Sequence, residues 1–218
     1  MAEMTAAEYA AAQGISVRRV QAAAASGALP ARRLAGRWLI DVGAPRRSRA
    51  GRPLSARSSR ALCSRLSGDT DWADGLSNTE RARVRARLDS LPESRVPWQV
   101  IADWTRAEHA APVGYRVADG DLDDLAQDRR LVATGVSDPR VGVSDAGIVV
   151  AHIARADLET VEREFLLVPV RDRPNALLYV DDERPNRPVP LGTLIFDLAH
   201  SAGSRERSVV GDLVRTAL

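Results

Sequence analysis

The side chains best suited to acid–base, nucleophilic or metal chemistry in this 218-residue chain are three histidines and one cysteine. His109, His152 and His200 are scattered, without the short intervals that a metal site on one element needs, and the lone Cys63 excludes both an intrachain disulfide and a multi-cysteine zinc site. Arginines near Cys63 could lower its pKa, yet no thiol-protease signature surrounds it, and it reads as a small helix-packing residue. Asp119-x-Asp121-x-Asp123 opens like a calcium loop, but an EF-hand requires Gly where Asp124 stands and Glu where Arg130 stands. The cluster reads instead as the acidic first turn of a helix, favourable to its dipole. Asp69-x-Asp71 and Asp181-Asp182-Glu183 could hold magnesium, but neither adjoins a Gly-rich phosphate loop, so both read as loops or solvated surface. G-x-S-x-G, Walker A and dinucleotide fingerprints are missing. The sequence therefore points to no enzyme, metal or cofactor, and leaves open only an active site assembled from residues distant in the chain.

The remaining chemistry is that of arginine. All 31 basic residues are Arg, and their guanidinium forks bond phosphates and guanine edges bidentately. A GC-rich gene would also produce this bias, since Ala, Gly, Pro and Val are abundant as well. Their distribution is more telling than their number. Residues 1–66 carry twelve Arg against Glu3, Glu8 and Asp41, a net +9, whereas residues 67–218 carry nineteen Arg against 26 acids, a net −7. A basic module ahead of an acidic body is a pattern of nucleic-acid contact. No apolar run approaches the roughly 20 residues that span a bilayer, and no signal peptide is evident, so the expected location is cytoplasmic, with no membrane partner.

The elements that must position these arginines begin at Thr5-Ala6-Ala7-Glu8, a capping box opening a helix to about Gln13. Gly14 suits the left-handed residue that ends it, with Ile15 as a buried plug in the turn. Ser16 caps a second helix to about Ala25, closed by Ser26-Gly27. Two short extended runs around Ala35-Gly36 then predict a β-hairpin, with Trp38 and Ile40 on one face and Arg37 on the other.

The string Gly14-Ile15-Ser16, Arg18, Val20, Ser26-Gly27, Leu29-Pro30-Ala31, Arg33, Gly36-Arg37-Trp38 and Ile40 resembles the excisionase-type winged helix-turn-helix, a relative of the MerR DNA-binding domain. The resemblance covers about residues 4–41. It implies that the second helix enters the major groove and the wing touches adjacent backbone or minor groove of double-stranded DNA. By position, Ser16, Val17, Arg18, Arg19 and Gln21 would face DNA from the helix, with Arg32, Arg33 and Arg37 on or near the wing. Many relatives carry an aromatic, a basic residue and two large aliphatics where this chain has Gln21-Ala22-Ala23-Ala24, so Arg18, Arg19 and the wing would carry more of the affinity. A winged fold that serves only protein contacts is the alternative.

Residues 44–54 carry Arg46, Arg47, Arg49 and Arg52 among small residues and prolines, which predicts an extended linker able to follow phosphates or enter a minor groove, or simply to be solvated. Residues 55–112 read as a helical segment. Ser55 caps a helix to about Leu66, and Ser77 caps another to about Leu91 whose arginines at 81, 83, 85 and 87 form either a second nucleic-acid surface or a solvated face paired with Glu80 and Asp89. Residues 113–218 read as a mixed α/β domain: a short acidic helix, apolar runs at 131–136 and 148–153, a helix at 156–164, strands at 165–170 and 177–180, and two closing helices, the second capped by Ser204. The fold class is thus α+β: a winged helix-turn-helix over residues 1–43, a linker, a helical segment and an α/β domain ending in two helices.

The order in residues 119–218 of Ala154-Arg155-Ala156-Asp157-Leu158, an acidic helix, Leu166-Leu167-Val168-Pro169-Val170, Arg173-Pro174-Asn175-Ala176-Leu177-Leu178-Tyr179-Val180, a Pro-rich turn and the stretch from Asp197 to Arg207 resembles the C-terminal domain of actinobacterial AbiE-type antitoxins. That resemblance implies an autorepressing antitoxin of a toxin–antitoxin operon, acting against a nucleotidyltransferase-like toxin functionally if not physically. The expected function is a DNA-binding transcriptional repressor that is not an enzyme. The alternatives are an adaptor acting through its acidic body, and a phage-type excisionase or architectural DNA-binding protein. Operator, toxin and oligomeric state are not encoded in any readable motif.

Overall fold

A computed structural model describes residues 3–25, 29–34, 36–42, 53–142, 147–201 and 203–218. The fold is α+β and divides into two compact units, residues 1–52 and 53–218.

The first unit holds β1 (Glu3–Thr5), α1 (Ala6–Gln13), α2 (Val17–Ala25), β2 (Ala31–Leu34) and β3 (Arg37–Asp41). Thr5 and Glu8 form the capping box, Thr5 N donating to the Glu8 carboxylate at 2.8 Å, and Gly14 ends α1 at φ +63°. A side chain at that angle would be strained, so Gly is favoured there to turn the chain within the three residues Gly14–Ser16. The strands form an antiparallel sheet in the order β1-β3-β2. Ala31 pairs with Ile40 and Arg33 with Trp38, and Met4 of β1 also pairs with Ile40. The two-residue period therefore aligns Met4, Ala31, Trp38 and Ile40 on the face that covers Tyr9, Ala10, Val20 and Ala24 of the helices. Two expectations change. The sequence reading did not anticipate β1, because three residues ahead of a cap are too short for a periodic signal. Ile15 is 36% exposed instead of plugging the turn, because the small core is already closed by Val20, Leu29 and Ile40.

The second unit has two apolar cores separated by a mixed sheet. Helices α3 (Ala56–Leu66), α4 (Asn78–Ser90), α5 (Pro97–Thr105), α8 (Leu191–His200) and α9 (Ser204–Ala217) enclose the first core, around Leu62, Leu66, Leu91, Ile101, Leu194, Ile195 and Leu198. The sheet contains β4 (Val113–Arg116), β5 (Leu131–Ala133), β6 (Val149–Ala154), β7 (Val168–Pro169) and β8 (Ala176–Asp181) in the order β5-β6-β8-β4-β7, with β6 and β8 parallel and the other pairs antiparallel. Its other face packs on α6 (Leu122–Gln127) and α7 (Arg155–Glu164), enclosing Leu125, Ile153, Val161 and Leu178.

Local departures from expectation have physical causes. The run at 131–136 is strand only to Ala133, because Gly135 at φ +54° turns it into a 3-10 helix. Of residues 165–170 only Val168 and Pro169 form strand, with Val170 N–H adding one hydrogen bond to the Gly114 carbonyl at 2.8 Å, as an edge where Pro is tolerated. Helix α9 begins at Ser204 itself, with Gly203 in the cap position. Asp119–Asp121 form a 3-10 turn, and Asp123 and Asp124 are the acidic first turn of α6.

Candidate functional site

On α2, Val20 and Ala24 are buried at i, i+4 spacing, which turns Val17, Arg18, Arg19 and Gln21 to solvent. Ser16 is also exposed, but its hydroxyl accepts the Arg19 backbone N–H at 3.3 Å, so its first task is to cap the helix. In the β2–β3 hairpin Arg32, Arg33 and Arg37 are all exposed. They do not share one face. Arg33 shares the Trp38 face, its guanidinium 5.9 Å from the indole centroid, whereas Arg32 and Arg37 lie on the opposite face with Leu34. Arg46, Arg47, Arg49 and Arg52 lie outside the described residues.

On α4, Arg81, Arg83 and Arg85 are exposed, while Arg87 is partly buried with its guanidinium 5.0 Å over the Trp104 ring. The Glu80 carboxylate accepts the Ser77 N–H at 2.9 Å and hydroxyl at 2.7 Å, so it caps the helix instead of pairing with those arginines. The hydrogen bonds from the Ser77 backbone and side chain lower its pKa.

The body holds an arrangement that the sequence reading missed. All three histidines converge with Asp197 where α8 crosses the sheet. Residues 149, 151 and 153 of β6 face the α6–α7 core, so the two-residue period turns His152 to the opposite face, toward α8. The parallel register His152 with Tyr179 and Ala154 with Asp181 brings Tyr179 and Asp181 to that same face. Asp197, 3% exposed, accepts His109 Nε2–H on Oδ1 at 2.9 Å, His152 Nε2–H on Oδ2 at 2.9 Å and the Thr134 hydroxyl on Oδ2 at 2.5 Å. His152 donates its other proton, on Nδ1, to Asp181 Oδ2 at 2.8 Å.

Those contacts fix protonation states. Burial disfavours a charged His152, but hydrogen bonds to Asp181 and Asp197 outweigh it and raise its pKa to about 9, so His152 is an imidazolium at neutral pH. Burial alone would raise the Asp197 pKa, yet the donors His109, His152 and Thr134 hold it below the ordinary carboxylate value. His200 behaves oppositely: burial and the neighbouring His109 ring, stacked at 4.1 Å, push it down to about 4. The Thr105 hydroxyl donates to the Ile101 carbonyl at 2.9 Å, so it accepts the Nε2–H of a neutral His200 at 2.8 Å.

A cavity of about 370 Å³ opens beside this network, lined among others by Arg60, Cys63, Glu108, His109, Tyr179 and Asp181. The Cys63 thiol lies 3.6 Å from the Thr193 hydroxyl, and burial raises its pKa, so it stays protonated at neutral pH. Asp69 Oδ1 accepts the Asp71 N–H at 2.8 Å, which makes that pair a loop brace. Among the described residues, no group of three or more His, Cys, Asp or Glu side chains is disposed to hold a metal ion, and no helix is long and apolar enough to cross a membrane. No protein-family model, curated protein or solved structure matches the chain.

Proposed function

We propose that this protein is a DNA-binding transcriptional regulator whose first unit is a winged helix-turn-helix, with α2 as the recognition helix and the β2–β3 hairpin as the wing. The observation that carries this reading is the exposure of Arg18 and Arg19 on the solvent face of α2, in a unit whose hairpin also exposes Arg32, Arg33 and Arg37. Guanidinium groups on a short helix supply both phosphate charge neutralisation and bidentate base contacts. The net +9 of residues 1–66 supplies the long-range attraction.

The body, net −7 over residues 67–218, is repelled by the duplex that the first unit attracts, so its task lies away from the DNA. The resemblance to AbiE-type antitoxins supports a regulator that represses its own promoter and counteracts a nucleotidyltransferase-like toxin, with or without a stable complex. The test is a promoter–reporter fusion combined with growth under induction of the neighbouring toxin gene, the protein being supplied from an unrelated promoter. Wild type should repress the reporter and restore growth, whereas the Arg18→Glu, Arg19→Glu double variant should restore growth but lose repression. Rescue by neither protein removes the antitoxin role, and unchanged repression by the double variant removes the recognition-helix assignment.

A further inference from the structure

The cavity beside Asp197 lies wholly in the second unit and has no part in the DNA-binding reading. It is also more than a packing gap. Tyr179 is 7% exposed, its ring stacks on His152 at 4.8 Å and meets His109 edge-on at 5.5 Å, and its hydroxyl has no hydrogen-bond partner among the described residues. His109, whose side chain is 9% exposed, gives its Nε2–H to Asp197, and its Nδ1 likewise has no partner among the described residues. Neither atom is itself sealed from solvent, so both polar groups are open to an occupant of the space their residues line. Both residues line the same cavity, so an occupant can supply what the protein does not.

We propose that this cavity binds a small, flat nitrogen heterocycle that carries amino groups and no negative charge, of the size of a nucleoside. Four features define that class. The volume of about 370 Å³ is near the lower end of the roughly 300–1,000 Å³ range of small-ligand pockets, room for a base with its sugar. The wall is aromatic, with Tyr179, His109, His152 and Phe196, which favours a planar partner. Tyr179 offers a hydroxyl donor, and His109, in the neutral tautomer that gives Nε2–H to Asp197, offers Nδ1 as an acceptor on the adjoining ring, the complement of a ring nitrogen beside an exocyclic amino group.

Charge supplies the fourth feature. Glu108, Asp181 and Asp197 outnumber Arg60 and the His152 cation, so the lining carries a net negative charge that welcomes N–H donors and opposes a phosphate. Asp181 uses only Oδ2 on His152, and Glu108 stands exposed at the lining, so both keep carboxylate oxygens for such donors.

The experiment is calorimetric titration of the full-length protein, without DNA, with adenosine, guanosine and cytidine and with their 5′-monophosphates. At least one nucleoside should bind saturably at one site with a dissociation constant below about 1 mM, and its monophosphate at least about 10-fold more weakly. Tyr179→Phe, which keeps the ring and removes the hydroxyl, should weaken the nucleoside about 10-fold. Glu108→Gln, at an exposed position where folding is not at risk, should narrow the gap between nucleoside and monophosphate. No binding by any of the three nucleosides overturns the proposal. So does equal or tighter binding of the monophosphates, or a Glu108→Gln protein with an unchanged gap.

Discussion

Asp197 Oδ2 and His152 Nε2 meet at 2.9 Å from opposite layers of the body, a helix and a strand 45 residues apart in the chain. The pair is buried and charged, and each member has a further partner, His109 for Asp197 and Asp181 for His152, so removing Asp197 takes from His152 one of its two acceptors and from His109 the acceptor of its Nε2–H. Asp197→Ala should destabilise the second unit by about 3 kcal/mol, the cost of leaving the His152 cation with Asp181 alone and His109 without its acceptor. Urea unfolding monitored by tryptophan fluorescence measures it, and a loss under about 1 kcal/mol would show that the network does not hold the layers together.

The two perturbed histidines set opposite slopes on stability against pH. His200, pushed down to about 4, leaves the folded chain binding fewer protons than the unfolded chain between its folded value and about 6.5, so stability rises with pH there. His152, raised to about 9, contributes stability that is complete below about 6.5 and is lost as pH rises toward 9, on the order of 3 kcal/mol. Asp197, held below its ordinary value, adds to the loss on the acid side as pH falls through its folded pKa. Melting temperature should therefore peak near pH 6.5. In His152→Gln the decline above that pH should flatten; an unchanged alkaline limb in the variant would contradict the imidazolium assignment.

Helices α3 and α8 approach each other at Gly192, where a Cβ would lie 2.1 Å from the Cys63 carbonyl oxygen and 2.9 Å from its Cα. The contact is fixed by backbone, since Gly192 N donates to the Ser67 hydroxyl at 3.0 Å while that hydroxyl donates to the Cys63 carbonyl at 2.9 Å. Gly192→Ala must push the helices apart and should cost about 1–3 kcal/mol or more, read in the same unfolding experiment. A neutral substitution would mean that α8 can shift freely against α3.

The boundaries of α1, α2, α3 and α4, and the facing of β3, were legible because caps and periodicity are local signals: Thr5 with Glu8, Gly14, Ser55, and Trp38 alternating with Ile40. The histidine–aspartate network was not, because its members come from β6, α8, the segment after α5 and the end of β8, and meet only through the sheet register. A signal was nonetheless present. Val149-Val150-Ala151-His152-Ile153-Ala154 is apolar on both strand faces except for His152, and α8 is apolar nearly all round except for Asp197 and His200. A strand or helix buried on every side forces any ionisable residue in it to find a partner, so those residues could have been matched to one another. The exposed arginines of α2 carry no such constraint, and their role depends on what they meet outside the chain.

That role is decided by equilibrium binding of full-length protein to a fluorescent duplex from its own upstream region, against a shuffled duplex, from about 50 to 200 mM salt, for wild type and for Arg18→Glu, Arg19→Glu. The account requires wild type to prefer the upstream duplex, with log affinity falling linearly in log salt at about −0.9 per phosphate contact, and the double variant to lose the preference and flatten the slope by about 2. Equal affinity for both duplexes, or a double variant that binds like wild type, would contradict it.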